Sequence, residues 1–414
     1  MSSLEQIGIK LGLDQIRALV QQLDHPDRAY QCLVVAGTNG KGSVTAMLER
    51  GLRAAGYKTG RYISPHLVRL EERFAIDGTA IDECTLETAA ARVQRAAEAL
   101  PSPPSFFEAT TAIALDVFRE AHVDVAVLEV GLGGRLDATN VVQPIGVAIT
   151  SIDFDHEEYL GHTIEAIARE KAGIVKPGVV AVLGQNPADV QQVVRSACED
   201  APAEFTFAPT GVAAAAQLVD GQCRLHLRTP RHDYGVLTLA LRGRHQVDNA
   251  VVAARLLEEL TARRAIHAPA AAIRSALTDA EWPARLELLP WRGGHVLIDG
   301  AHNPAGARAL ASYLGETYGR RLPFVMGAMR DKRIADIVGA LAASASHFVC
   351  TAASSPRAAT ADELASIARV AAPGVAVHAV AQPIEALRYA RDLGDPIVAA
   401  GSLYLAGEVR AHLT

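Results

Sequence analysis

The segment Gly37-Thr38-Asn39-Gly40-Lys41-Gly42-Ser43 gathers three glycines, a lysine and two hydroxyl side chains within seven residues. A triphosphate needs converging N–H donors and a cation. A glycine turn between a buried strand and a helix supplies both, with the positive end of the helix dipole behind them. The segment departs from G-x-x-x-x-G-K-[ST], because Val35 stands where the first glycine belongs, Gly42 follows Lys41, and the hydroxyl arrives one residue late at Ser43. A kinase or GTPase would carry Ser or Thr directly after the lysine, so the variant points to another class of phosphate chemistry. A ligand-free glycine turn is the bland alternative. Glu129 ends the apolar run Val125-Ala126-Val127-Leu128, at the carboxyl edge where open α/β sheets place their ligands. A carboxylate there can hold Mg²⁺ against phosphates; otherwise it is a surface glutamate. His156 follows the run Val147 to Ile152, and alone it reads as a loop or capping residue, since magnesium prefers oxygen. Lys171, near a helix C-terminus, alone reads as a solvated charge complementing the dipole. Asp299 ends the run Val296-Leu297-Ile298 as Glu129 ends its own, and His302-Asn303 before Pro304 reads as a helix cap.

These residues require strands that end together and helices that start beside them. From Gln31 onward short apolar runs alternate with stretches of helical period, the pattern of a parallel sheet covered by helices. Cys32-Leu33-Val34-Val35-Ala36 is a buried strand, and Val44, Met47, Leu48 and Leu52 share one face of the helix after it, closed by Gly56. Further strands are expected at 125–130, 147–152 and 179–183, with a helix over 163–172 closed by Gly173. Between Phe205 and Leu241 the pattern turns to alternation, at 224–228 and 237–241, which predicts a small antiparallel addition. A helix resumes near Asn249. Pro283 marks the linker, placing domains at 1–282 and 283–414. The second half repeats strand and helix: 296–298, 304–318, 324–326, 334–342, then a helix opened by the Thr360-x-x-Glu363 capping box. The expected fold is α/β: a P-loop parallel-sheet N-terminal domain with a small antiparallel addition, and a smaller Rossmann-like C-terminal domain.

With 414 residues, the chain is comfortable as two domains. Hydrophobic residues at 50% and charged ones at 21% describe a globular protein, and a formal charge of -6 argues against a nucleic-acid coat. Nowhere do eighteen apolar residues run together, and the N-terminus lacks a signal-peptide pattern, so neither export nor membrane spanning is expected. The expected protein is cytoplasmic and monomeric, with small-molecule substrates and neither nucleic acid nor membrane as a partner. Five scattered cysteines without a C-x-x-C pair read as reduced thiols, mostly in the core.

The loop variant G-T-N-G-K-G-S closely resembles the phosphate loop of the folylpolyglutamate synthase and dihydrofolate synthase family, relatives of the Mur peptidoglycan ligases. The resemblance continues through Ser64-Pro65-His66-Leu67 with Glu72-Arg73, Leu128 to Asn140, Asp155-His156, Glu170-Lys171-Ala172-Gly173-Ile174, His245-Gln246 with Asn249, Pro283 to Glu287, Asp299-Gly300-Ala301-His302-Asn303-Pro304 and Gly401-Ser402-Leu403-Tyr404. It spans nearly the whole chain.

The resemblance implies an ATP-dependent amide ligase that adds L-glutamate to dihydropteroate, to folyl-(poly)glutamate, or to both, through an acyl phosphate. It implies ATP contacts at Thr38, Asn39, Gly40, Lys41, Gly42, Ser43, Asn249, Arg285 and Asp299, with Lys41, Lys171 and His302 in catalysis. It further implies two Mg²⁺ ions held by Ser43, Glu129, His156 and a carbamylated Lys171, with a monovalent cation as an option. The pterin acid falls to Lys10, Leu11, Gly12 and Leu13, to Ser105, Phe106, Phe107 and Glu108, and to Leu136, Asp137 and Ala138. Phe106 and Phe107 could stack on a flat ring or be ordinary core. Three rivals stand beside this reading. A Mur-type UDP-muramyl ligase is disfavoured by Ser64-Pro65-His66-Leu67 and the short N-terminus. A P-loop kinase would not need the second β/α domain. The third rival is a regulatory protein that binds ATP without catalysis.

Overall fold

The computed structural model describes residues 12–414. Among the described residues the strands form three sheets. The first contains β1 (Gln31–Ala36), β2 (Thr59–Tyr62), β3 (Phe74–Ile76), β4 (Thr79–Ala80), β5 (Val125–Glu129), β6 (Gly146–Ile149), β7 (Val180–Leu183) and β8 (Glu204–Phe207), in the order β4-β3-β2-β5-β1-β6-β7-β8. The six strands from β2 to β8 run parallel, and β3 and β4 extend the sheet antiparallel beyond β2. β1, β5, β6 and β7 are apolar and buried on both faces, as strands covered by helices on both sides must be. The order puts β1 between β5 and β6, so the segments leaving these three strands emerge side by side at one edge.

The second sheet, β9 (Ala213–Val219), β10 (Gln222–Arg228) and β11 (Asp233–Thr238), has the order β11-β10-β9. Asp220 and Gly221 join β9 to β10 with φ of 51° and 73°, the two left-handed residues of a tight hairpin. The alternation expected over 237–241 overruns the strand, because Ala240 N–H bonds Leu277 O in the helix Ala270–Thr278 instead of a neighbouring strand.

The third sheet holds β12 (Glu287–Trp291), β13 (Gly294–Ile298), β14 (Leu322–Met326), β15 (Ala345–Cys350), β16 (Ala376–Ala379) and β17 (Ile397–Ala400), in the order β12-β13-β17-β14-β15-β16. Only β12 pairs antiparallel. Thr360 and Glu363 form the expected reciprocal cap on the helix Ala361–Ala371. Contacts divide the chain into two compact units, residues 1–215 with 225–240 and 246–281, and residues 216–224 with 241–245 and 282–414. Each has its own apolar core. Four cysteines are buried and Cys84 is exposed.

Candidate active site

In the first unit the loop after β1 is pinned to the segment after β6. Thr38 N–H bonds Ser151 O at 2.7 Å, the Thr38 hydroxyl donates to Asp153 O at 3.0 Å and accepts from Asp153 N at 3.1 Å, and Thr150 Oγ1 donates to Asn39 O at 2.6 Å. This close approach explains Gly37, since a Cβ there would lie 1.8 Å from Thr150 Oγ1 on a backbone with φ of 149°. Lys41 opens the helix Lys41–Ala54, and its Nζ folds back to donate to Gly37 O and Thr38 O, each at 3.2 Å. Ser43 is buried one step further along, and Gln246 Nε2 donates to its Oγ at 3.2 Å. Asn249, on the same helix as Gln246, sits against Gly40, where a Cβ would meet Asn249 Oδ1 at 2.3 Å.

Glu129 is the buried last residue of β5, paired with Val35 of β1. His156, after β6, takes a left-handed backbone at the start of the short helix Glu157–Leu160, with Nε2 3.9 Å from Asp155 Oδ1. Lys171 overturns the expectation of a solvated helix-end charge. In the helix Ile164–Ala172 it lies one turn after Ile167 on the buried stripe, is 5% exposed, and donates from Nζ to Gly37 O at 2.8 Å. Burial lowers its pKa from 10.5 to about 7; the neighbouring Lys41 adds to the fall, and Asp155 and Asp137 oppose it. Packing leaves no slack here: a Cβ on Gly134 would come within 2.8 Å of Glu170 O and 2.9 Å of Lys171 O. Among the described residues no three His, Cys, Asp or Glu side chains gather as a self-sufficient metal site. The four predicted ligands are a hydroxyl, a carboxylate, an imidazole and an amine, so an ion here needs oxygens beyond the protein's own carboxylates.

Of the residues predicted for the acid substrate, Lys10 and Leu11 lie outside the described residues. Gly12 N–H reaches Leu136 O at 3.5 Å, joining two of the three segments, and Leu13 packs on the core. Asp137 organises its own loop, accepting from Leu132 N at 2.8 Å, Thr139 N at 3.0 Å and Thr139 Oγ1 at 2.6 Å. Burial raises its pKa against these hydrogen bonds. Ala138 is buried beside it. Ser105 and Glu108 cap the helix Phe106–Glu120 reciprocally, so their polar atoms are engaged. The two phenylalanines part ways. Phe107 packs on the core, 6.1 Å from the Tyr62 ring. Phe106 faces the Arg73 guanidinium at 5.2 Å, and Arg73 Nε donates to His66 Nδ1 at 2.9 Å. Sequence reasoning assigned no role to Arg73, His66 or Gln246, although all three sit in the motifs it singled out.

In the second unit Arg285, Asp299 and His302 form one cluster at the carboxyl end of β13. Asp299 accepts from Leu286 N at 3.0 Å and Ala301 N at 2.9 Å. Arg285 crowds Gly300, where a Cβ would lie 2.2 Å from Nη1, and His302 Nδ1 is 2.8 Å from Gly300 O. Burial lowers the pKa of His245, which feels the opposing charges of Asp299 and Arg285. Asn303 is the helix cap, accepting from Gly306 N at 2.8 Å.

Residues 35–257 match the Mur ligase middle domain, and residues 284–403 match the Mur ligase glutamate ligase domain. A dihydrofolate synthase/folylpolyglutamate synthase of Bacillus subtilis is 32% identical over 417 residues, covering 99% of this chain and 96% of its own. The chain belongs to this family. A Mycobacterium tuberculosis folylpolyglutamate synthase complexed with ADP and AMPPCP has a TM-score of 0.92 at 34% identity, over 100% of this chain and 97% of its own. A bifunctional folylpolyglutamate synthase/dihydrofolate synthase with Mn, AMPPNP and L-glutamate bound has a TM-score of 0.85 at 31% identity, over 100% of this chain and 96% of its own. The α/β architecture, with a large parallel sheet and a smaller mixed one, is therefore that of a family of ATP-dependent ligases in folate metabolism.

Proposed function

We propose that the chain condenses L-glutamate with a pterin-bearing carboxylic acid, using ATP, and accepts both dihydropteroate and folyl-(poly)glutamates. The observation that carries the reading is the meeting of Lys171 Nζ and Lys41 Nζ on Gly37 O, inside a phosphate loop whose neighbouring strand ends in Glu129. A carboxylate does not react with an amine at neutral pH, because oxide would have to leave. Attack of the substrate carboxylate on the γ-phosphorus of ATP releases ADP and forms an acyl phosphate. The glutamate amine then attacks the acyl carbon, phosphate departs, and the amine loses a proton as the amide forms. The first step brings anions together, and Lys41 with the loop N–H groups from Gly40 to Gly42 offsets that repulsion electrostatically. Asn249, Arg285 and Asp299 orient the nucleotide, and His302 serves the reacting phosphates.

The residues present suit magnesium. The Lys171 amine, at about 7, is roughly half neutral at neutral pH, and only a neutral amine adds CO₂ to give a carbamate and a proton. That change would turn a buried cation into an oxygen donor. Ser43, Glu129, His156 and carbamylated Lys171 would hold two ions. Bound magnesium supplies charge neutralisation at the phosphates. The aromatic face of Phe106, under Arg73, supports stacking of the pterin acid, together with Gly12, Leu13, Ser105, Phe107, Glu108 and the Leu136-Asp137-Ala138 segment. The domains are placed at 1–282 and 283–414, and the enzyme works as a cytoplasmic monomer. Phosphate release that requires both L-glutamate and a pterin acid is the expected assay result. ATP turnover indifferent to either substrate refutes the ligase. Dihydropteroate and reduced folyl-monoglutamates compared as acceptors separate one activity from two.

A further inference from the structure

Ser43 reaches the phosphate site from the third residue of its helix, one position later than the hydroxyl of the common phosphate loop. A serine in a first helical turn readily bends back to a carbonyl three or four residues behind. Here Gln246 takes up the side chain instead, donating from Nε2 to Ser43 Oγ at 3.2 Å. The amide orientation is set by its neighbour, because Asn249 Nδ2 donates to Gln246 Oε1 at 2.9 Å, which leaves Nε2 facing the serine. Asn249 is fixed in turn against Gly40. Gln246 is 1% exposed and Ser43 2%. The carbonyl four residues behind Ser43 is already used, since Asn39 O accepts from Thr150 Oγ1 at 2.6 Å and from Ser151 Oγ at 3.3 Å.

We propose that Gln246 is a positioning residue that fixes the rotamer and the hydroxyl polarity of Ser43 for metal–nucleotide binding, with Asn249 setting the direction of its amide. An Oγ that accepts from Gln246 keeps one lone pair for a cation and one proton for an anionic oxygen, the pair of functions a magnesium-phosphate ligand needs. A neutral amide does this without placing a charge that competes with the ion. The displaced serine and the helix His245–Ala262 thereby form one device: the loop supplies the oxygen, and the helix aims it. The proposal rests on the reading of Ser43 as a metal ligand.

The test measures Mn²⁺ affinity by electron paramagnetic resonance with AMPPNP in excess, and AMPPNP affinity in EDTA by calorimetry. Gln246→Met keeps the shape and removes the bonds to Ser43 and from Asn249, and is expected to weaken Mn²⁺ by about 10-fold, the usual effect of losing a ligand's supporting partner, with a smaller change in metal-free AMPPNP affinity. Wild-type Mn²⁺ affinity in Gln246→Met, or a loss of metal-free AMPPNP affinity as large as the loss of Mn²⁺ affinity, overturns the proposal, the latter by reducing Gln246 to packing. Ser43→Ala separates the two layers. If it leaves Mn²⁺ binding intact, the ligand reading falls and takes this proposal with it. If it weakens Mn²⁺ while Gln246→Met does not, only the role of Gln246 falls.

Discussion

Replacing Lys171 by methionine should make the nucleotide-free protein more stable while destroying its activity. The amine is buried, and its pKa is down from 10.5 to about 7. Between those values the unfolded chain holds a proton that the folded chain has released, so stability of the wild type rises with pH through that window. At pH 8 the difference disfavours the folded state by about 3 kcal/mol relative to a residue that does not titrate. Methionine also gives up the bond from Nζ to Gly37 O, worth about 1 kcal/mol. The net gain is about 2 kcal/mol at pH 8, or roughly 4–8 °C in Tm for a folding unit of this size. The gain should shrink as pH rises and vanish just below 10.5, where the unfolded lysine is itself losing its proton and the remaining difference no longer exceeds the lost hydrogen bond. The assay is thermal melting of wild type and Lys171→Met in CO₂-depleted buffer at pH 7, 8.5 and 10, with ligase activity measured beside it. Activity should fall by about 100-fold, the upper range for disturbing a metal's ligand shell. Added bicarbonate should stabilise the wild type and leave the variant unmoved. A gap in Tm that does not change with pH, or a wild type that melts above the variant at pH 7, refutes the reasoning, because either result means that the amine is not held against its own charge.

Gly37→Ala forces a Cβ to 1.8 Å from Thr150 Oγ1, so AMPPNP affinity by calorimetry should drop by more than about 10-fold, with strain of order 1–3 kcal/mol in the loop; unchanged affinity would contradict the close packing described. Glu129→Gln should raise the Mg²⁺ concentration for half-maximal activity by about 10-fold or more while leaving AMPPNP affinity in EDTA alone. Phe106→Ala should raise the KM for the pterin acid by about 10-fold, the loss of an aromatic contact worth about 1 kcal/mol or slightly more, and leave the KM for ATP within about 2-fold. Asp299→Asn turns one of the two oxygens that accept from Leu286 N and Ala301 N into an NH₂ donor and leaves one of those N–H groups without its acceptor; it should lower stability by about 1–3 kcal/mol, read as a lower urea midpoint, and equal midpoints would show that bond to be dispensable.

The strands that matter were legible because they are buried on both faces: 32–36, 125–128 and 296–298 are unbroken apolar runs, and their short length with turn residues nearby favours a strand over a buried helix. Glu129 and Asp299 were legible for the same reason, each being the first charge after such a run. Lys171 was not. Its helix position and charge describe a solvated residue equally well, and only the pairing of β1 with its neighbours, which carries Gly37 beneath the last turn of the helix Ile164–Ala172, makes it a buried amine. Gln246 was illegible in the same sense, since its partner Ser43 lies about 200 residues away in sequence and the bond exists only after both helices have docked. The alternation over 237–241 located the small sheet but overran its last strand, because burial of Leu237, Leu239 and Leu241 continues the pattern past Thr238 while the Ala240 N–H turns to Leu277 O. Spacing along a chain therefore reveals where charge is placed at the end of an apolar run. It does not reveal where charge is pressed into the interior, and here the two differ in consequence: Glu129 needs only to stay ionised, whereas Lys171 must lose a proton to be useful, and the desolvation that makes this possible is itself the destabilisation that Lys171→Met should relieve.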